Sequence, residues 1–454
     1  MRDLMMLCAT LLLVPLSLVN AFGAYLLWEW TAVLSPSYYL FGFMQSVRYN
    51  LMFALITITL VFLGRLRNRD AFRMTGTTLA AMLFLLHGSI CAALGYDFNP
   101  LNQEIYTGLV KSLVFCLLMP MIVTTRLRIH AMLVMLALGL GFHGTIEGAK
   151  VLATAGAYRP GGVPTSMMSD NNHLAVALVM ALPILFYLFR YSARRVVKVG
   201  FLGGFALSVI AVIGTQSRGG FVALAFTGAW LIFTSRRKTL ALTMVLSMSL
   251  LAALAAPSSW FDRMESIQTA ERDDSFLGRV DAWRVSTVIA LENPLFGGGF
   301  HAVQTQSVWQ MHRAAASRIG LLEARDIPQA FKAAHSIYFE VLGDQGFVGL
   351  LLFLSFFVVA LVNILNVKRM AARHPLELAW GADLASMLGV SILAFAVGGA
   401  GVSLAYFETF YVMIFLTDVL RRTMDKEVLS LKGQRSGTSI AGRIADQTTV
   451  AKIR

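Results

Sequence analysis

Ala333-Ala334-His335-Ser336-Ile337-Tyr338-Phe339-Glu340-Val341-Leu342-Gly343-Asp344-Gln345-Gly346 closes the one long polar interruption of the chain, and Phe347-Val-Gly-Leu-Leu-Leu-Phe-Leu-Ser-Phe-Phe-Val-Val-Ala-Leu-Val-Asn-Ile-Leu365 follows at once. The second segment decides the fold. A charge-free run of roughly 20 residues is the length that crosses a bilayer as a helix. Runs of this kind recur along all 454 residues, of which 57% are hydrophobic and 14% charged. A water-facing surface needs about 25% charged residues. Lipid offers the backbone no hydrogen-bond partner, so spans are helices or closed barrels. Strict alternation is absent and Leu, Ala, Met and Phe dominate, which selects helices. The chain reads as an all-α polytopic membrane protein.

About twelve spans are expected, near 4–20, 48–63, 74–94, 105–123, 128–151, 171–189, 197–214, 219–234, 238–257, 346–365, 382–400 and 402–420. Residues 1–20 have a signal-like shape and are read as an uncleaved first span. Residues 20–34 are apolar too, but Trp28, Glu29 and Trp30 suit an interfacial or half-inserted helix. A second crossing there would change the side of whatever precedes it. With residue 1 taken as cytoplasmic, the basic loops 64–73, 124–129, 190–198, 235–238 and 366–374 and the tail 421–454 all fall inside, and hold most of the 38 Lys and Arg. That satisfies the positive-inside rule. The loops 35–47, 95–104, 152–170, 215–218 and 258–345 are then outside, with a tight turn near Gly398–Gly401. One domain is expected over 1–420, and a basic, disordered tail over 421–454.

The net charge of +13 sits in short loops and the tail, which argues against nucleic acid and for contact with membrane lipids. Cys8, Cys91 and Cys116 lie in apolar runs without pairing or metal spacing, so burial is expected.

The chemistry-bearing residues cluster outside. Between 258 and 332 eight basic and nine acidic residues nearly cancel, so most of these arginines have acids to pair with. Gly278–Pro294 reads as an amphipathic helix carrying Arg279, Trp283 and Arg284, and Asn293-Pro294-Leu-Phe-Gly297-Gly298-Gly299 ends it. Arg218 stands in the short outer turn Thr215–Gly220. It suits either a lipid headgroup or a substrate phosphate, since guanidinium matches oxyanions bidentately. His335 suits a structural role or a general base. Ser169-Asp170-Asn171-Asn172-His173 caps a helix, with Asp170 or Asn171 as the N-cap. His87 and His143 lie in or near spans. Lys111, Glu147, Lys150, Asp383 and Glu408 are ionisable residues within or beside spans, and Glu147 with Lys150 is a natural i, i+3 pair.

Ser217-Arg218-Gly219-Gly220, then Gly278-Arg279 with Trp283 and Pro294-Leu-Phe-Gly-Gly-Gly, then Ala334-His335-Ser336 and Gly343-Asp-Gln-Gly346, occur in an order that resembles the O-antigen ligase family of bacterial inner membranes. Its superfamily includes O-antigen polymerases and bacterial protein O-oligosaccharyltransferases. The resemblance covers about 160–420, and the N-terminal part looks more like ligases associated with exosortase systems. It implies a GT-C-like fold and an inverting, metal-independent glycosyltransferase. The donor would be a glycan on undecaprenyl diphosphate and the acceptor a hydroxyl of the lipid A–core oligosaccharide, both met on the periplasmic side of the inner membrane. Both termini would be cytoplasmic. Arg218 and Arg279 match the family's two essential arginines, as diphosphate ligands. His335 matches its essential histidine. Ser336 departs from the Asn that often follows it. Arg284, Arg159, Asn172 and His173 are further candidates for substrate contact. The first outer loop, 35–47, has no Asp or Glu, in keeping with an enzyme that needs no cofactor. The polymerase and protein-glycosylation readings share this site. A lipid or solute transporter is the remaining alternative, but no internal repeat is found.

Overall fold

The computed structural model describes residues 1–65, 73–97, 99–164, 166–234, 239, 243, 274–320 and 326–451. Fourteen α-helices are seen among them: α1 Arg2–Val19, α2 Ala21–Leu34, α3 Tyr49–Phe62, α4 Gly76–Leu94, α5 Pro100–Ile122, α6 Arg126–Ala153, α7 Asn171–Tyr191, α8 Arg195–Gly214, α9 Arg218–Thr234, α10 Asp274–Glu292, α11 Gln306–Ala316, α12 Ile337–Arg373, α13 Ala379–Gly399 and α14 Glu408–Ala451. Among the described residues, eight helices are long and apolar enough to cross a membrane. Every predicted span is helical over most of its length except 238–257, of which only residues 239 and 243 are described.

Helix starts follow the local chemistry. Asn99 accepts from the backbone N–H groups of Leu101 and Asn102 ahead of Pro100, and Thr125 accepts from Arg128 N–H. The middle of the bundle is formed by α7, buried without a break from Leu174 to Leu185, and by the first three turns of α14. Helices apolar all round belong inside. Gly144 and Gly148 on α6 lie so close to Ser208 and Leu207 of α8 that neither could carry a Cβ without displacing them. Small residues one turn apart allow this approach, and close packing is what binds helices in lipid.

Four expectations can be set against the structure. First, α2 packs into the bundle. Trp28 and Glu29 are buried, and Tyr25 stacks on Phe115 of α5 at 4.1 Å. Second, α1 and α2 form a hairpin about Asn20. Asp3 Oδ1 accepts from Gly42 N–H at 3.2 Å and Met44 N–H at 3.1 Å, and Met6 and Leu7 pack on Leu40, Met44 and Tyr49. At the other end Phe22 lies under the Arg128 guanidinium. Residue 1 therefore lies at the same end as 35–47, not opposite it. Third, the turn after α13 is not tight. It runs through residue 407 before α14 begins. Fourth, the tail is described as far as Ala451. The α14 helix continues to Ala451, supported near its exit by Arg421 with Asp418 and Asp425 and by Arg422 with Asp418. In addition, Cys8 is exposed because α1 lies at the rim, whereas Cys91 and Cys116 are buried.

The polar stretch after residue 274 folds into a cap with its own core. Val285, Ile289, Val308, Trp309, Ile327 and Ala334 are buried together. Trp309 Nε1 donates to Pro328 O at 2.8 Å and Trp283 Nε1 to Ala334 O at 2.7 Å. The glycine run joins cap to bundle. Gly298 N–H donates to Gly343 O at 2.8 Å and Gly299 N–H to Asp344 O at 2.9 Å. Opposite them Gly346, at φ 67° and ψ −167°, breaks α12, and Phe347 N–H returns to Pro294 O at 2.9 Å. The three glycines thus serve a close backbone junction.

Candidate active site

Four separate elements meet around the linker that follows α13. The first is the turn before α9. Arg159 Nε and Asn171 Nδ2 both donate to Thr215 O, at 3.2 and 2.9 Å. Gln216 takes the left-handed φ of 55°, and Gly220 N–H donates to Ser217 Oγ at 3.1 Å. This turn sets Arg218 at the first position of α9. The second element is α10, which carries Arg279. A Cβ placed on Gly401 would stand 3.8 Å from Arg279 Nη1 and 3.8 Å from Gly219 Cα. The guanidinium of Arg279 and the backbone beside Arg218 therefore flank one glycine.

The third element is the entry to α12. His335 N–H donates to Ser403 Oγ at 2.9 Å, and the residue holds φ 43°. A non-glycine in this region costs about 1–3 kcal/mol and persists only where its surroundings demand it. The ring Nδ1 is buried with no hydrogen-bond partner. Burial above all, with the charges of Arg279 and His173 and against that of Asp170, lowers the imidazole pKa to about 4. His335 is therefore neutral at pH 7, with a lone pair to offer. The fourth element is the first turn of α7. Asp170 is the N-cap, accepting from Asn172 and His173 N–H at 2.7 Å each. Its other carboxylate oxygen lies 3.7 Å from His173 Nδ1.

The candidate residues separate accordingly. Arg279 Nη1, the backbone beside Arg218 and the backbone of His335 meet at Gly401 and Ser403, and His173 is near His335. Arg159 is exposed and braces the Thr215 turn through its Nε. Arg284 is only 1% exposed and lies 3.8 Å from Asp281 inside the cap. Asn172 stands in the first turn of α7 beside them. Several other ionisable residues in or beside the spans have protein partners. His87 meets Gln345 O, His143 meets Tyr39 Oη and Val33 O, Glu147 pairs with Lys150 at 2.6 Å, and Asp383 pairs with Arg190. Ser403 was not foreseen. The small residues Gly398-Gly399-Ala400-Gly401 were the one available sign that other chain comes close there.

This arrangement defines a helical membrane protein with cations and a neutral imidazole gathered at one end of its bundle. Residues 203–354 match the family model described as O-antigen ligase, and the chain carries the domain of that family, with Arg218, Arg279 and His335 inside it. That match supports a ligase- or polymerase-type glycosyltransferase. Residues 1–193, which hold Arg159, Asp170 and His173, match a family of unknown function. No curated protein matches the chain.

Proposed function

We propose that this protein transfers a glycan from undecaprenyl diphosphate to a hydroxyl of a lipid A–core oligosaccharide at the periplasmic face of the bacterial inner membrane. The observation that supports the reading is the meeting of Arg279, the Arg218 turn and His335 on residues 398–403, from elements far apart in sequence. The acceptor oxygen attacks the anomeric carbon and the C1–O bond to the diphosphate breaks on the opposite face, so the configuration inverts. The proton of the acceptor hydroxyl passes to the neutral His335. The electron pair leaves with the lipid diphosphate, and Arg218 and Arg279 take up its charge. A fixed donor of this kind is worth about 3–4 kcal/mol in the transition state, and a general base about 10²–10⁴-fold. The first outer loop offers no carboxylate for a metal, and the guanidinium groups supply the positive charge instead.

The test is complementation of a strain that lacks its ligase. Wild type should restore O-antigen on lipopolysaccharide, and His335→Ala, Arg218→Ala and Arg279→Ala should not, at equal membrane abundance. Full attachment by all three variants would overturn the assignment. Wild-type restoration of chain length alone, or of a glycosylated protein alone, would move it to the polymerase or protein-glycosylating branch of the superfamily.

A further inference from the structure

We infer that His173 is a third ligand of the donor diphosphate, held for that role by Asp170; the inference rests on the transfer reading above. The His173 side chain is 14% exposed, and both of its ring nitrogens are buried without a hydrogen-bond partner. Leaving such groups unsatisfied is costly, so each one calls for an explanation. Histidines elsewhere in the bundle do not share this state. His87, His130 and His143 each bond protein through the ring.

Position points to a ligand inside the site. A Cβ on Gly220 would strike the Ala175 side chain at 2.5 Å, and one on Gly398 would strike Val176 at 2.9 Å. The turn of α7 that begins with His173 is thus wedged between the Arg218 turn and the residues that seat His335. His173 is also near enough to His335 for their charges to interact. The helix end itself is not the attraction. The N–H groups of Asn172 and His173 are already taken by Asp170 Oδ1, and that of Leu174 by Asp170 O. The ring is what remains.

The two imidazoles lie near one another, with Asp170 close to both. Burial and the Arg279 charge keep His335 neutral and able to accept a proton. His173 Nδ1 lies 3.7 Å from the Asp170 carboxylate, and Nε2 has no protein partner. A proton taken up by His173 as the diphosphate arrives is held between two anions, Asp170 and the ligand. A His173 protonated in this way beside Arg218 and Arg279 suits the diphosphate, whereas a sugar hydroxyl needs no third positive charge. Asp170 touches no substrate in this scheme and acts as a positioning residue.

The experiment measures binding of undecaprenyl diphosphate to the purified full chain in nanodiscs at pH 6 and pH 8, with thermal unfolding recorded for each protein. His173→Asn should weaken binding about ten-fold at pH 6, the worth of one charge-assisted hydrogen bond, and less at pH 8. Asp170→Asn should follow it, and His173→Arg should recover affinity and remove the pH dependence. His173→Gln provides a second truncation if the Asn variant unfolds early. If His173→Asn and His173→Gln bind as wild type while Arg279→Ala does not, the role of His173 is refuted and the transfer reading stands. If Arg218→Ala and Arg279→Ala also bind as wild type, the transfer reading itself is overturned.

Discussion

The backbone N–H of His335 donates to Ser403 Oγ across 2.9 Å, and this bond ties the entry of α12 to the linker between α13 and α14. It holds a histidine at φ 43°, where few side chains stay without support. Ser403→Ala should release that backbone and misplace the imidazole. We expect kcat to fall about ten-fold or more, with KM for the lipid-linked donor little changed, since misplacement by about 1 Å can cost 10²-fold. Ser403→Thr, which keeps the acceptor oxygen, should recover much of the rate. Equal kcat for Ser403→Ala and wild type would remove the tie from the mechanism.

The low pKa of His335, about 4 against the usual 6.5, carries a sign that can be read in two ways. The base is active when neutral, so kcat/KM should stay level as pH falls through 6.5 and decline only towards pH 4. The unfolded chain binds this proton near 6.5 and the folded chain does not. Stability should therefore be constant above about pH 6.5 and drop as pH falls from there towards 4. His335→Gln should flatten that part of the curve of melting temperature against pH. An acid limb of kcat/KM centred at 6.5 in the wild type would contradict the buried, neutral base.

Gly346 lies where the cap returns to the bundle. A Cβ there would stand 2.6 Å from Pro294 O, at φ 67°. Gly346→Ala should cost about 2 kcal/mol or more, because both the left-handed backbone and the carbonyl oppose it. The fall in melting temperature of the detergent-solubilised protein measures this. An unchanged melting temperature would mean that the junction relaxes freely.

The cap has a core of its own, with Trp309 fully buried in it. Trp309→Ala should remove about 3–5 kcal/mol from that core. Limited proteolysis should then cut between 274 and 335 while the bundle fragments persist. Resistance equal to wild type would show that the cap does not depend on this side chain.

The α1–α2 hairpin sets the side of the N-terminus. Single cysteines at residues 3 and 42, in a chain lacking Cys8, should react with an impermeant thiol reagent from the same side of the membrane. A cysteine at residue 426 should react from the other side. Labelling of residues 3 and 42 from opposite sides would refute the hairpin.

Much of this was written in the order of residues. Apolar length and the placement of arginines determined a helical membrane protein, its basic face and the stretch 258–345 as the polar part, because a bilayer admits few solutions for such segments. Arg218, Arg279 and His335 could be named from motif order. Their meeting point could not, because it depends on which helix ends lie together. Glycine contacts at 219, 398 and 401 bring α7, α9, α10 and α13 to one place, and no local pattern encodes a contact between residues so far apart. For the same reason a buried Arg284 and a substrate-facing arginine look alike in sequence, while tertiary burial beside Asp281 separates them. The hairpin at Asn20 and the unsatisfied ring of His173 are also tertiary facts. Local sequence specifies whether a segment can be a helix in lipid; only packing decides which ends it shares and which polar groups it leaves for a ligand.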